Sequence, residues 1–417
     1  MPERLFTQRV LAHFGAQVLS AALLLANSVL LARVLGPEGK GQVALTAQLT
    51  TLLSIVLSLG VATAHVYHVS GRHFKPETLA GNALSLTAIN TLLAGLALAA
   101  LALSGTLERL LPDFPPLLLI LATLALPVQL LNAYLGAILQ GEQRIFTLSA
   151  LQVLQTAALL LWGLVLLLVL RLGVPGGALA LLLAWGLNLL LLIGQLRRAG
   201  VRLRPTWERT ALRATLAYGL RGYPGTLLQY FNYRLDTFLV NYFVGAAQVG
   251  LYSVAVALAE LLWYLPNAVG FVIMPKAAGS NARAMNRFTP RVFALTLGLT
   301  AGGGVGLALL GPWLIRWLYS PAFSAAYPAL LWLLPGVVLL SGGKVLANEI
   351  AGRGYPHYNS ISSGVSLLAT VILDLLLIPH YGIVGAAQAS TISYSLGFLL
   401  ILIFYRRVSA RTAKEAP

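Results

Sequence analysis

The 417-residue sequence has no cysteine, only three methionines and only 12 acidic residues. Without cysteine there are no disulfides, no thiolate metal sites and no cysteine nucleophile. Charge of any sign is scarce. Asp, Glu, Lys and Arg make up 10% of residues, against roughly 25% in soluble domains. No Walker lysine motif is present, so the chain does not consume ATP itself. No Gly-x-Ser-x-Gly elbow is present either. What fills the sequence instead is apolar: 58% hydrophobic residues, with a mean hydropathy of +0.82. A soluble domain this apolar could not cover its own surface. A bilayer suits it, because lipid tails tolerate apolar faces and penalise charge.

The apolar runs are long and continuous, and rich in Leu and Ala, which are good helix formers. Strands of a membrane barrel would alternate apolar and polar residues, so the runs read as helices. At about 20 residues per span, six fall at 10–35, 42–69, 78–105, 116–140, 146–171 and 176–197. Six more fall at 214–245, 249–274, 291–319, 328–352, 358–378 and 385–405. Gly36-Pro37-Glu38-Gly39, Pro112 to Pro116 and Val174-Pro175-Gly176-Gly177 supply turn chemistry between them. The first run is too long for a signal-peptide core and reads as an uncleaved first helix.

Net charge is +16. In a soluble protein this would suggest nucleic acid. Here it follows the positive-inside rule, and no nucleic-acid partner is expected. With the N-terminus in the cytoplasm, 20 of the 28 Lys and Arg lie in cytoplasmic segments. Five lie outside (Arg33, Lys40, Arg109, Arg171 and Arg316), and Arg221, Arg234 and Lys344 lie within spans. Both termini are therefore expected in the cytoplasm.

The halves align at an offset of 209 residues. Gly36 and Gly41 match Gly245 and Gly250. Gly173, Gly176, Ala178 and Ala180 match Gly382, Gly385, Ala387 and Ala389, and Arg197-Arg198 match Arg406-Arg407. Six helices per half make the repeat parallel. The expected organisation is a lobe at 1–197, a basic, exposed linker at 198–213 suited to a hinge, and a second lobe at 214–417.

The segment Leu31-Ala32-Arg33-Val34-Leu35-Gly36-Pro37-Glu38-Gly39-Lys40-Gly41 resembles the first-turn signature of polysaccharide-unit flippases. These belong to the multidrug/oligosaccharidyl-lipid/polysaccharide (MOP) superfamily. Further resemblance lies in Tyr233-Arg234-Leu235-Asp236 with Val249-Gly250-Leu251-Tyr252-Ser253-Val254-Ala255, in Met274-Pro275, and in Tyr381-Gly382-Ile383-Val384-Gly385-Ala386-Ala387. Lys40 departs from the aromatic or aliphatic residue that many relatives carry. The resemblance implies a V-shaped, all-helical fold of about twelve spans in two lobes. It implies a flippase that moves an undecaprenyl-pyrophosphate-linked oligosaccharide to the outer leaflet of a bacterial inner membrane. Polymerase and chain-length proteins of a polysaccharide pathway are implied partners. With both lobes in one chain, a functional monomer is expected. Twelve spans make the peptidoglycan-precursor branch, which usually has more, a poorer match.

A charge at mid-bilayer costs at least ~2.5–3.5 kcal/mol on insertion scales, so it faces a cavity or a partner. Helix seven is the richest. Arg221, Gly225, Gln229, Asn232 and Asp236 share one face, and Tyr223, Tyr230, Arg234 and Asn241 form a second stripe. Pro224-Gly225 should bend it. Arg221 and Arg234 suit a pyrophosphate, since the guanidinium fork binds phosphate oxygens bidentately. The alternative for Arg234 is a structural pair with Asp236 or with another helix. Arg33, near the outer end of helix one, is a substrate contact or a snorkelling side chain. Lys344 and Asn348 share a face of helix ten, with Lys344–Glu349 or Lys344–Asp374 pairing as the competitor. The substrate-binding set is thus Arg33, Arg221, Tyr230, Asn232, Arg234, Lys344 and Asn348. Glu260 is the first candidate for a coupling ion and Asp236 the second, with H+ or Na+ as the ion. Glu260 paired with Arg234 is the competing reading. Asp374 reads as solvated near the outer end of helix eleven. His65 and His68 lie near an interface and make a poor metal signature. No cofactor, metal or catalytic residue is expected.

Two other classes fit less well. A multidrug exporter should prefer cations and an acidic or neutral cavity, whereas three intramembrane basic residues favour an anion. A glycosyltransferase, polymerase or ligase acting on lipid-linked sugar would need a sizeable outer loop, and the loops here are short.

Overall fold

The computed structural model describes the backbone of residues 2–279 and 282–415. It describes side chains from Phe14 onward, apart from those of Phe271, Pro275, Ala282 and residues 412–415. The side chains of Arg4, Arg9, Pro275 and Lys414 therefore lie outside the described residues. Helices account for nearly all of the chain, and no strand occurs among the described residues. The elements of the first half are α1 (Pro2–Ser58), α2 (Val61–Ser70), α3 (Pro76–Leu103), α4 (Thr106–Leu110), α5 (Pro116–Gly141), α6 (Ile145–Leu164) and α7 (Gly173–Arg198). Those of the second half are α8 (Arg209–Val244), α9 (Ala246–Glu260), α10 (Tyr264–Gly279), α11 (Ala282–Leu314), α12 (Ala326–Gly352) and α13 (His357–Glu415).

Among the described residues, nine helical stretches are long and apolar enough to cross a membrane. Two of them each contain a non-helical glycine, Gly36 in α1 and Gly382 in α13, which splits each into two. The polar α8 adds a further long helix. This is consistent with twelve crossings. The 209-residue repeat is written in the backbone as well. Gly36 has φ 68° and ψ −174°, and its match Gly245 has φ 86° and ψ 170°. That region is open essentially only to glycine. Gly173 and Gly382 likewise share a positive φ, 61° and 55°.

The chain forms two compact units, Met1–Leu227 and Leu228–Pro417, so α8 contributes its first half to one and its second half to the other. In the first unit the expected second helix is interrupted. Leu59 and Gly60 both take positive φ, 50° and 72°, so α1 ends and α2 begins anew. The break frees three carbonyls, and three helices supply donors. Tyr223 of α8 donates to Val56 at 2.6 Å, Asn90 of α3 to Leu57 at 2.8 Å, and Tyr134 of α5 to Ser58 at 3.4 Å. Irregular backbone in a membrane protein persists where it is satisfied in this way. At the same point α8 crosses so closely that a Cβ on either Gly60 or Gly219 would meet the other's backbone.

Part of the segment expected as a hinge is tied down at Thr206 and Glu208. Its side chains are largely exposed, but its backbone is tied to α3. Asn82 donates to the Glu208 carbonyl at 2.9 Å and accepts from the Glu208 N–H at 2.8 Å. Ser85 donates to the Thr206 carbonyl at 2.8 Å. The Glu208 carboxylate then caps α8, accepting from the N–H of Ala211 at 2.6 Å and of Thr210 at 3.1 Å. These donors hold its carboxyl below the usual carboxylate range.

In the second unit α12 is the core helix, with 61% of its apolar window buried. Small residues let neighbours approach it. Gly336 faces Thr391 and Gly343 faces Phe398, both on α13. The second helix of this half is also irregular, passing from α9 to α10 through a tight turn at Leu261–Trp263.

Candidate functional site

Five helices of the second unit, α8, α9, α10, α12 and α13, bring the intramembrane polar residues together. On α8, Asn232 and Asp236 are four residues apart and share one buried face, at 6% and 3% exposure. Arg234, between them, points another way and meets the last residue of α9. Its guanidinium grips Glu260 with both forks, at 2.8 Å and 3.0 Å. The Arg234–Asp236 pair considered from sequence does not form. Lys344 of α12 donates to Asn267 at 3.2 Å and sits 3.9 Å over the Trp263 ring. Neither competing lysine pair forms: Glu349 pairs with Arg353 instead, and neither Asp374 oxygen has a hydrogen-bond partner among the described residues. Asn232, Lys344 and Asn348 line a cavity of about 180 Å³ with Gln229, Tyr233 and Tyr394. Lys344 is the one charged side chain lining this cavity among the described residues, with the Arg234–Glu260 pair near it and Asp236 within electrostatic reach of Arg234.

Asp236 and Asp374 form a second, buried centre. Asp236 accepts from Tyr252 at 2.5 Å, from the Thr237 N–H at 2.7 Å and from Ser390 at 3.4 Å. Asp374 of α13 is fully buried, at 0% exposure, not solvated as its sequence position suggests. Neither of its carboxyl oxygens has a hydrogen-bond partner among the described residues. It lies within electrostatic reach of Asp236. A buried carboxylate with unmet oxygens calls for a cation or a proton. Thr370, one turn before it, donates to Asn232 at 2.9 Å and so links the two centres.

The other sequence candidates are placed differently. Arg33 and Arg221 belong to the first unit, and both side chains are exposed. Tyr230 is half-buried and does not line the cavity. His65 and His68 are buried, and His65 Nδ1 lies 3.1 Å from the Tyr134 carbonyl. Among the described residues no group of three or more His, Asp or Glu could hold a metal ion. Sequence reasoning missed Trp263, Thr370 and Ser390. It quoted Tyr252 only for its family motif.

Over residues 30–328 the sequence matches the family described as "Polysaccharide biosynthesis protein". An uncharacterized membrane protein of Methanocaldococcus jannaschii is 25% identical over 210 residues, covering 48% of this chain and 41% of that protein. The probable flippase AglR of Haloferax volcanii is 30% identical over 175 residues, covering 40% of this chain and 36% of the relative. The chain therefore spans less than half the length of these curated relatives. Among solved structures, the lipid II flippase MurJ in an inward closed conformation superposes with a TM-score of 0.79. That match covers 96% of this chain and 90% of the other at 15% identity. An inward-facing multidrug resistance MATE transporter of the MOP superfamily gives a TM-score of 0.74, covering 98% and 100% at 17% identity. At such identities the shared property is the fold. The chain is a multi-pass membrane protein with the MOP fold, and it belongs to the polysaccharide biosynthesis protein family.

Proposed function

We propose that the chain is a flippase that carries a lipid-linked oligosaccharide from the cytoplasmic to the outer leaflet by alternating access. The observation that carries this reading is Lys344, which lines the intramembrane cavity with no carboxylate among that cavity's lining residues. A net positive intramembrane site attracts an anionic headgroup and disfavours a cation. Family membership and the relative named a probable flippase point the same way. The finer substrate proposed is an undecaprenyl-pyrophosphate-linked repeat unit in a bacterial inner membrane, with both termini cytoplasmic. Polymerase and chain-length proteins are the proposed partners, and the monomer is the proposed working unit.

We infer that the ion-coupling centre is Asp236 with Asp374, and that Glu260 serves chiefly to hold Arg234. Two buried carboxylates near each other cannot both stay charged without a counter-ion. A proton or Na+ shared between them supplies the coupling.

The test is translocation of fluorescent undecaprenyl-pyrophosphate oligosaccharide in liposomes. Movement that falls at least about tenfold in Lys344→Ala supports the cavity assignment. Absence of movement, with export of cationic dyes by the same preparation, would replace the flippase by a multidrug exporter. Transport indifferent to collapse of both proton and sodium gradients would remove the coupling.

A further inference from the structure

In the first unit a separate cavity of about 910 Å³ opens between α2 and α5, with α8 at its edge. Its size falls in the roughly 300–1,000 Å³ range of small-molecule sites. One wall is aromatic. Tyr67 of α2 and Tyr218 of α8 stack at 4.1 Å with their planes 12° apart, and His73 stacks on Tyr67 at 5.0 Å. Rings held this way have little rotamer freedom left to lose on binding. Tyr67 nevertheless keeps 44% of its surface exposed. The rest of the lining is uncharged, a mixture of small or aliphatic residues such as Val66 and Leu148 with a few polar ones. Thr63, Asn132 and Gln140 offer a hydroxyl and two carboxamides, and no charged side chain lines the pocket among the described residues. The Asn132 carboxamide is fixed by α7. It donates to the Trp185 carbonyl at 2.9 Å and accepts from Asn188 at 2.8 Å. One donor and one acceptor position of that amide remain for a ligand. The α5 wall is low at Gly136, where an added Cβ would meet nothing within 4 Å.

We infer that this pocket binds sugar rings, and that it receives the glycan of the lipid-linked substrate at the end of the unit where the charge count places the cytoplasm. The identity of the incoming glycan rests on the flippase reading. The chemistry of the pocket does not. A pyranose has an apolar C–H face and a rim of hydroxyls. An aromatic wall takes the face, and carboxamides that donate and accept take the rim. A phosphate would call for Arg or Lys, and a divalent metal cation would call for carboxylates. Neither is what lines this cavity. A neighbouring pocket shares Ser70 with it and is lined by Arg72, His73 and Lys75 against one carboxylate, Glu142. A sugar chain and the phosphate that carries it thus find adjacent places of suitable charge.

The test uses the full chain in nanodiscs with two soluble neutral probes, maltotetraose and chitotetraose, read by saturation-transfer NMR. Wild type should transfer saturation to the ring protons of at least one probe. Gly136→Phe fills the pocket from a position with free space and raises helix propensity. It should weaken binding roughly tenfold or more. Gly95→Phe, at an equally open position on α3, should bind like wild type. Tyr218→Ala removes the platform by a different route and should also lose binding, so the assignment does not hang on one variant folding. Failure of both probes to bind wild type, or undiminished binding by Gly136→Phe and Tyr218→Ala, overturns the inference. Liposome translocation separates the two readings. Oligosaccharide binding with no transbilayer movement keeps the pocket and removes the flippase. Movement and binding that are both unchanged in Gly136→Phe remove the pocket and keep the flippase.

Discussion

Arg234 has a carboxylate at 2.8 Å, and that changes what its removal means. Arg234→Ala leaves Glu260 without its counter-charge. Breaking a fully buried pair costs about 3–5 kcal/mol. Here each partner keeps 26% of its side-chain surface exposed, so about 1–3 kcal/mol is expected. Adding Glu260→Gln should return the thermal midpoint to near wild type. If Arg234 also holds the pyrophosphate, the double variant stays slow in translocation, and recovery of both properties would make the arginine purely structural. Asp374 makes the opposite prediction. Asp374→Asn removes a buried ionisable group whose oxygens have no hydrogen-bond partner among the described residues, so the midpoint should not fall. Gradient dependence of transport should vanish with it. A lower midpoint would mean that the carboxylate is structurally needed. The spacing of Asn232 and Asp236 on one face was legible in the sequence, because two helical positions fix it. The partner of Arg234 was open, since spacing along one helix says nothing about which helix packs opposite. Asp374 was misread for a definite reason. Ending the helix at 378 puts it in the last turn, whereas the chain stays helical to Gly382 and places it about one turn deeper.

At the level of elements, the matched glycines carry the sharpest prediction. Gly36 and Gly245 occupy a backbone region that a Cβ makes costly, so alanine at either should destabilise by roughly 1–3 kcal/mol. Both positions have open space around a hypothetical Cβ, so the penalty is one of backbone and not of crowding. Thermal unfolding of each alanine variant in detergent measures it. Alanine at Gly222, which is helical and equally open, should be neutral or stabilising. The α8 cap gives a pH test. The Ala211 and Thr210 N–H groups depress the Glu208 pKa in the folded chain. A depressed carboxyl stabilises above its unfolded pKa and loses that effect as pH falls through its folded value. Wild type should therefore have a higher midpoint than Glu208→Gln at neutral pH, and the difference should close on acidification. A constant difference across pH would assign the effect to packing. The turn glycines were legible because glycine and proline punctuate an otherwise uniform apolar sequence. The break at Leu59–Gly60 was not. It lies inside an apolar run without proline, and the groups that satisfy it come from Asn90, Tyr134 and Tyr223, far away in sequence. The fastening of the linker was hidden for the same reason. Its composition suits an exposed hinge, and only the placement of Asn82 and Ser85 opposite it shows where its backbone hydrogen bonds go.

For the whole molecule, composition alone fixed the solvent, and the 209-residue repeat anticipated the shared backbone of Gly36 and Gly245. What composition leaves to experiment is the orientation. The charge count puts the turn at Ser104 and the turn at Ser324 outside, and Arg202 inside. All three side chains are exposed. The absence of native cysteine makes the measurement clean, since each engineered thiol is the only one in the chain. In intact cells a membrane-impermeant maleimide should label Ser104→Cys and Ser324→Cys but not Arg202→Cys, which should react only after permeabilisation. Because Ser104 and Ser324 lie in different halves, their agreement also tests the parallel repeat. Six crossings per half return the chain to the same side, whereas an odd number would put the two serines on opposite faces. Labelling of Arg202→Cys in intact cells would invert the molecule. The basic pocket of Arg72 and Lys75 would then face outward, and a cytoplasmic role for the neighbouring Tyr67–Tyr218 cavity would fall with it.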